Sequence, residues 1–318
     1  MQLSLRFINV ICSLVFIAGT VVAAEGETTM ITRRIDKITA GNGRHWVGDG
    51  FPVNNMLSYN SDLKVSPFLL LDYAEPADFY PSDKPRGVDQ HPHRGFETVT
   101  IVYHGELQHR DTAGNSGKIG PGDVQWMTAA RGILHEEKHS DDFTRRGGKL
   151  EMVQLWVNLP AKYKMSEPHY QEITSASIPL VTLENGTGTL RVIAGGFGEV
   201  KSSVKTFTPI NIYDIALKEK TSVNIQIPQD FNAMLLVLNG KISSAGRNIE
   251  ASELAVFAST GDVIEINSNS DAKVLLMSGK PIDEPVAAAG PFVMNTDAEI
   301  KQAYNDFRSG KFLSGKNN

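Results

Sequence analysis

Cysteine is almost missing from this chain of 318 residues: the single thiol is Cys12. It sits in an apolar opening stretch, MQLSLRFINVICSLVFIAGTVVAA (residues 1–24), whose one charge is Arg6 and whose Val22-Ala23-Ala24 ending reads as a secretory cleavage site. Cys12 follows the bulky Ile11 inside the apolar run, which argues against a lipoprotein anchor, and no twin-arginine pair is present. The expected location is therefore periplasmic or secreted, with an uncleaved N-terminal membrane anchor as the alternative reading. A mature chain beginning at Glu25 would hold no thiol. It could form no disulfide, and any metal would have to be held by nitrogen and oxygen.

Positive charge is also scarce. Lys and Arg total 31 against 36 Asp and Glu, and loss of Arg6 with the leader moves the net charge from -5 to -6. Such a chain has no electrostatic footprint for nucleic acid, and the small cluster Arg145-Arg146…Lys149 reads as a solvated loop. Phosphate-binding G-x-G-x-x-G loops and β-helix-β alternation are missing too, which excludes a nucleotide fold. Helical periodicity is confined to the C-terminus, where Thr296 and Glu299 predict a capping box, Ile300, Ala303, Tyr304 and Phe307 one apolar stripe, and Gly310 the stop.

What remains is β structure. Short β-branched and aromatic runs such as TVTIVYHGEL (98–107), DVQWMTA (123–129), MVQLWVNLP (152–160), AMLLVLNGKI (233–242) and ELAVFAS (253–259) alternate with Gly, Pro, Asn and Asp, the pattern of an antiparallel sandwich or barrel. The runs repeat in order. TVTIVYHGEL matches AMLLVLNGKI, GDVQWMTA matches SELAVFAS, RGILHEE matches TGDVIEI, and MVQLWVNLP matches KVLLMSGKP. Two similar β domains are expected, over 25–165 and 166–290, followed by a C-terminal segment and helix over 291–318.

All eight histidines fall between His45 and His169, and none occurs in the matched runs of the second repeat. In HPHRGFETV, His91 and His93 would project from one face of a strand, and in RGILHEEKH so would His135 and Glu137. Brought together inside a barrel, the two dyads make a three-nitrogen, one-oxygen site suited to one divalent transition metal: Fe, Mn, Co, Ni, Cu or Zn. The repeat offers an internal control: Ile264 and Ile266 stand opposite His135 and Glu137, and Gln226 and Pro228 opposite His91 and His93. Glu97 and Glu136 are rival carboxylates, although Glu136 would face away from His135. His104 precedes a turn glycine, His109 lies in loop-like sequence where a supporting hydrogen bond to the site remains open to it, and His45, His139 and His169 read as surface positions. Trp126 reads as core, with pocket lining as the sharper alternative.

These motifs, HPHRGFETVT, HRDTAGNSGKIGPGDVQWMTAARGILHEE and GPFVMNTDAEIKQAYNDFRSGKF, closely resemble those of the pirin family, over about His45 to Phe312. The resemblance implies a fold of two antiparallel jelly-roll cupin barrels in tandem, the first binding one metal, usually iron, through His91, His93, His135 and Glu137, the second degenerate. It implies Fe(II) first among the possible ions. Some bacterial members resemble quercetin 2,3-dioxygenases, which open a flavonol ring with O2 and release carbon monoxide. The substrate would be a small aromatic enediol with O2, Glu137 would take its hydroxyl proton, and the protein would be a monomer. The alternative is a non-catalytic metal-binding module for redox sensing or protein interaction. Two departures from the family pattern stand out: glycine is usual where Ala130 stands, and a bulky polar pair is usual where Ala288-Ala289 stand.

Overall fold

The structure, a computed structural model, describes residues 30–63 and 65–314. The leader read in residues 1–24 lies outside the described residues. In chain order the first half contributes the strands Ile35–Thr39 (β1), Arg44–Val47 (β2), Phe51–Leu57 (β3), Phe68–Phe79 (β4), Gly87–His93 (β5), Phe96–His104 (β6), Leu107–Asp111 (β7), Ser116–Ile119 (β8), Val124–Thr128 (β9) and Ile133–His139 (β10). The short helix Asp141–Arg146 (α1) and the strands Gly148–Asn158 (β11) and His169–Ile173 (β12) follow. The second half begins with Leu180–Thr182 (β13), Gly188–Ala194 (β14), the small hairpin Gly196–Phe197 (β15) and Val200–Lys201 (β16), and Ile210–Leu217 (β17). It continues with Ser222–Gln226 (β18), Asn232–Asn239 (β19), Lys241–Ser244 (β20), Arg247–Glu250 (β21), Leu254–Phe257 (β22), Val263–Ser268 (β23) and Ala272–Gly279 (β24). The hairpin Ala287–Ala289 (β25) and Phe292–Met294 (β26) leads into the helix Asp297–Arg308 (α2).

Each half is a barrel built from one seven-stranded and one four-stranded sheet. The orders are β12-β9-β6-β11-β4-β3-β2 with β5-β10-β7-β8, and β1-β22-β19-β24-β17-β14-β13 with β18-β23-β20-β21, so the two halves correspond strand for strand. The edges depart from the domain boundaries drawn from the sequence. β1, within 25–165, pairs with β22 of the second barrel, and β12, beyond 165, pairs with β9 of the first. Each barrel lends an edge strand to the other, an exchange that periodicity does not register because an edge strand carries the same alternation wherever it pairs.

Alternation along the strands builds two kinds of core. From β19, Met234 and Leu236 face a layer shared by the two large sheets, where they meet Val99, Ile101, Val153 and Leu155, while Leu235 and Val237 fill the second barrel. Burial of each such side chain contributes about 1.5–3 kcal/mol. Trp126 is fully buried in the shared layer, as the core reading expects.

The C-terminal segment packs on the first barrel. Phe292 bridges to Arg94, whose guanidinium pairs with Asp306 at 2.7 Å and lies 4.5 Å from the centre of the Phe312 ring. The buried Lys164 ammonium donates to the carbonyls of Gly95 and Val293 and to Asn158 Oδ1. Gly95 is required there, since a Cβ would lie 1.9 Å from the Val293 carbonyl oxygen. The α2 capping box forms as expected, with Thr296 and Glu299 each accepting from the other's backbone N–H. The basic cluster Arg145-Arg146 is not a loop but the last turn of α1, which Ser140 caps. Among the described residues no helix is long and apolar enough to cross a membrane.

Candidate metal centre

On β10, Ile133, His135, Glu137 and His139 point into the first barrel, while Leu134, Glu136 and Lys138 point out. β5 pairs beside it with His91 opposite His135 and His93 opposite Ile133, so three imidazoles converge across one strand pair. One nitrogen from each ring lies within 4.8 Å of the others. The ring centres are 4.3 Å apart for His91 and His135, 4.7 Å for His91 and His93, and 4.9 Å for His93 and His135.

The donors fit a divalent transition ion. Both ring nitrogens of His135 and Nδ1 of His93 are buried with no hydrogen-bond partner, a costly arrangement for imidazoles with nothing to bind. Burial, then the neighbouring His93 and His91, hold the His135 pKa well below its ordinary value, and burial followed by His91 does the same for His93. Neutral rings are the form that ligates. His91 Nδ1 lies 2.9 Å from the Asp89 carbonyl oxygen, so it carries the proton and frees Nε2.

Glu137 shares the inward face of β10, and its carboxylate is held from β6 and β11. Thr100 Oγ1 lies 3.0 Å from Glu137 Oε1, and Gln154 Nε2 donates to Oε2 at 3.3 Å. Burial pushes the Glu137 pKa up, opposed by nearby His91 and by the Thr100 and Gln154 hydrogen bonds. Thr100 Oγ1 is also 2.5 Å from Gln154 Oε1, so a single hydroxyl hydrogen faces two acceptors. The three groups form a closed ring of contacts.

The rival carboxylates lie elsewhere. Glu97 is on the opposite face of β6, beside the shared layer, where its Oε1 accepts from Trp126 Nε1 at 3.0 Å and Thr128 Oγ1 at 2.7 Å. Glu136 faces outward and pairs with Arg110 at 2.7 Å. Two histidines differ from their expected settings. His109 is no loop residue: it is buried on β7, opposite Glu137 on β10, and accepts from the Tyr170 hydroxyl. Its pKa is pushed down to about 4, chiefly by burial, so the ring is neutral and able to accept. His139 is not at the surface: it is buried among Phe51, Phe79 and Phe143, and its Nε2 reaches the Gly50 carbonyl at 3.0 Å. His45 on β2 and His169 on β12 are exposed, as expected.

The internal control is sharper than the sequence alignment made it. In the second barrel Ile264 pairs with Ile225, as His135 pairs with His91, so the counterparts of His91 and His93 are Ile225 and Ile227 rather than Gln226 and Pro228. All four ligand positions are thus isoleucine, Ile225, Ile227, Ile264 and Ile266, and all four are buried in the barrel core. The Pro228-containing turn is one residue longer than its counterpart before β6, which shifts the equivalences across it by one. The pairing of MVQLW with KVLLM slipped likewise: sheet register matches Gln154 to Leu276, not Leu275.

Two tandem antiparallel barrels, one with an inward imidazole cluster and one with isoleucine at the equivalent places, define a bicupin with a single candidate metal centre among the described residues. The Pirin profile matches residues 50–157 and that of the Pirin C-terminal cupin domain residues 212–313, so the chain belongs to the pirin family. It is 48% identical over 282 residues to a Pseudomonas aeruginosa protein named "putative quercetin 2,3-dioxygenase", spanning 88% of this chain and 99% of that one. It is 38% identical over 273 residues to pirin-like protein 2 of Arabidopsis thaliana, spanning 83% and 81%. A crystal structure of quercetin 2,3-dioxygenase from Acinetobacter baumannii matches with a TM-score of 0.86 at 44% identity, over 89% of this chain and 99% of that one.

Proposed function

We propose that the protein is a metal-dependent dioxygenase of the quercetin 2,3-dioxygenase type, opening the ring of a flavonol or similar aromatic enediol with O2 and releasing carbon monoxide. The observation that carries this reading is the buried three-imidazole cluster with Glu137 on the same strand face, in a chain similar to the Pseudomonas and Acinetobacter proteins. A divalent ion held by His91, His93, His135 and Glu137, Fe(II) first among Mn, Co, Ni, Cu and Zn, would supply Lewis acidity to a substrate oxygen. In this reading Glu137 would take the substrate's hydroxyl proton, a role supported by its burial, which raises its pKa from the ordinary carboxylate value.

The wall beside His93 is aromatic. The Trp156 ring centre lies 5.4 Å from that of His93 and the Phe96 ring centre 5.1 Å from it, and Ala288 packs against the same cluster with Tyr59 and Leu69. A small residue at 288 leaves that wall less filled than a bulky polar one would. A monomer suffices in this reading, because all four site residues come from one barrel.

The burial of His93 and His135 favours a second reading, in which the centre senses redox state or holds an interaction surface without turnover. The two separate in one experiment: metal content of the mature protein, then flavonol loss and carbon monoxide release in air for wild type and His135→Ala. Carbon monoxide from wild type alone supports the dioxygenase; none from fully loaded wild type supports the second reading. Export is part of the proposal and rests on the composition of residues 1–24. The protein recovered from an extracytoplasmic fraction is expected to begin at Glu25, and a retained residue 1 there would point to the membrane anchor.

A further inference from the structure

The first barrel carries a polar rung that its twin lacks. Across five neighbouring strands, Asn55 pairs with Asp72, Asp72 with Gln154, Gln154 with Thr100, and Thr100 with Gln125. In the second barrel the matching rung is Val192, Tyr213, Leu276, Leu235 and Ala255. Thr100 is fully buried, and the barrel interior therefore bears a desolvation cost at a position that leucine fills in the other half. The fold does not need polar groups at the Thr100 and Gln154 positions, since the same architecture closes around Leu235 and Leu276 there.

What Thr100 and Gln154 touch is Glu137, one at each carboxylate oxygen. We infer that Thr100 and Gln154 are positioning residues: bonding from β6 and β11, they fix the rotation of the Glu137 carboxylate relative to the three imidazoles and so set how it meets a bound ion. The inference rests on reading the cluster as a metal centre. A flexible carboxylate on an otherwise aliphatic barrel wall would have several rotamers open to it. Polar contacts from two separate strands, linked to each other through the Thr100 hydroxyl and the Gln154 amide, leave it one. Groups that orient a ligand in this way commonly alter metal affinity about tenfold to a hundredfold when removed.

The test uses the mature full-length chain and Co(II) alone, read by visible absorption and by chelator competition. Thr100→Val and Gln154→Leu should each still take up Co(II), with an altered visible spectrum and about tenfold or more weaker retention. The altered spectrum should approach that of Glu137→Gln, and adding either substitution to Glu137→Gln should change nothing further. Thr100→Ser, which keeps the hydroxyl, should restore the wild-type spectrum. Should Thr100→Val fail to fold, Gln154→Leu, which installs the second barrel's residue, carries the same comparison.

Wild-type spectra and affinities in Thr100→Val and Gln154→Leu would overturn the inference, as would an equal spectral change when Glu137 is already glutamine. His135→Ala separates the underlying reading. If it binds Co(II) as wild type does, the metal centre itself is wrong; if it loses Co(II) while the other variants match wild type, only the positioning role fails.

Discussion

Glu97 shows how one carboxylate is distinguished from another by its surroundings. It has H-x-H-x3-E spacing from the histidines, yet it lies on the outer face of β6 with Trp126 and Thr128 as donors, away from the imidazole cluster. Burial lifts its pKa from 4.5 to about 7, only partly offset by the Thr128 and Trp126 hydrogen bonds. Because the folded chain holds this proton more tightly than the unfolded one, stability is fullest below pH ~4.5 and declines as pH rises through ~7. The swing is on the order of 3 kcal/mol. Glu97→Gln, whose amide oxygen can keep both donors, should flatten the stability profile between pH 5 and 7; urea midpoints across that range measure it, and an unchanged slope would contradict the assignment. Ala130 makes a second case. Its φ of +43° places an alanine in the left-handed region, which explains why glycine is usual there in the family. Ala130→Gly should stabilise by roughly 0.5 kcal/mol, the relief of strain exceeding glycine's entropy and the lost methyl, with a higher denaturation midpoint as the readout.

At the scale of elements, alternation decided most of what could be read in advance. His135 and Glu137 on one face, Glu136 on the other, and Trp126 in the core all follow from a period of two. The capping box of α2 was equally readable, and Thr296→Ala should cost about 1 kcal/mol, seen as a lower midpoint and faster amide exchange in α2 than elsewhere. Thr100 and Gln154 were harder. A threonine is ordinary in a β strand, and only correct cross-strand register reveals that both reach one carboxylate. Thr100 was already aligned with Leu235, but the one-residue slip in β24 hid Gln154 against Leu275 of the shared layer. The strand setting of His109 is hidden for a related reason: polar neighbours and a following turn suggest a loop, whereas β7 needs only alternate residues inward, Leu107, His109 and Asp111.

For the whole molecule, the two barrels are one architecture with two interiors. The edge-strand exchange could not be read from either repeat alone, because pairing partners of edge strands are set by tertiary packing rather than by local pattern. The division of labour could be read, since histidine is confined to one half, whereas isoleucine at all four equivalent places emerges only from the sheet register. That same equivalence indicates a clean substitution: His135→Ile gives the first barrel the residue its twin already accommodates, so the fold should survive while the centre is lost. The direct measurement is metal content per chain, by elemental analysis of protein loaded with one divalent ion and freed of excess, for wild type and His135→Ile side by side. One equivalent in wild type and almost none in His135→Ile, with the circular dichroism of the two superimposable, is the predicted result. Two equivalents in wild type, or undiminished metal in a folded His135→Ile, would contradict a single centre built on these imidazoles.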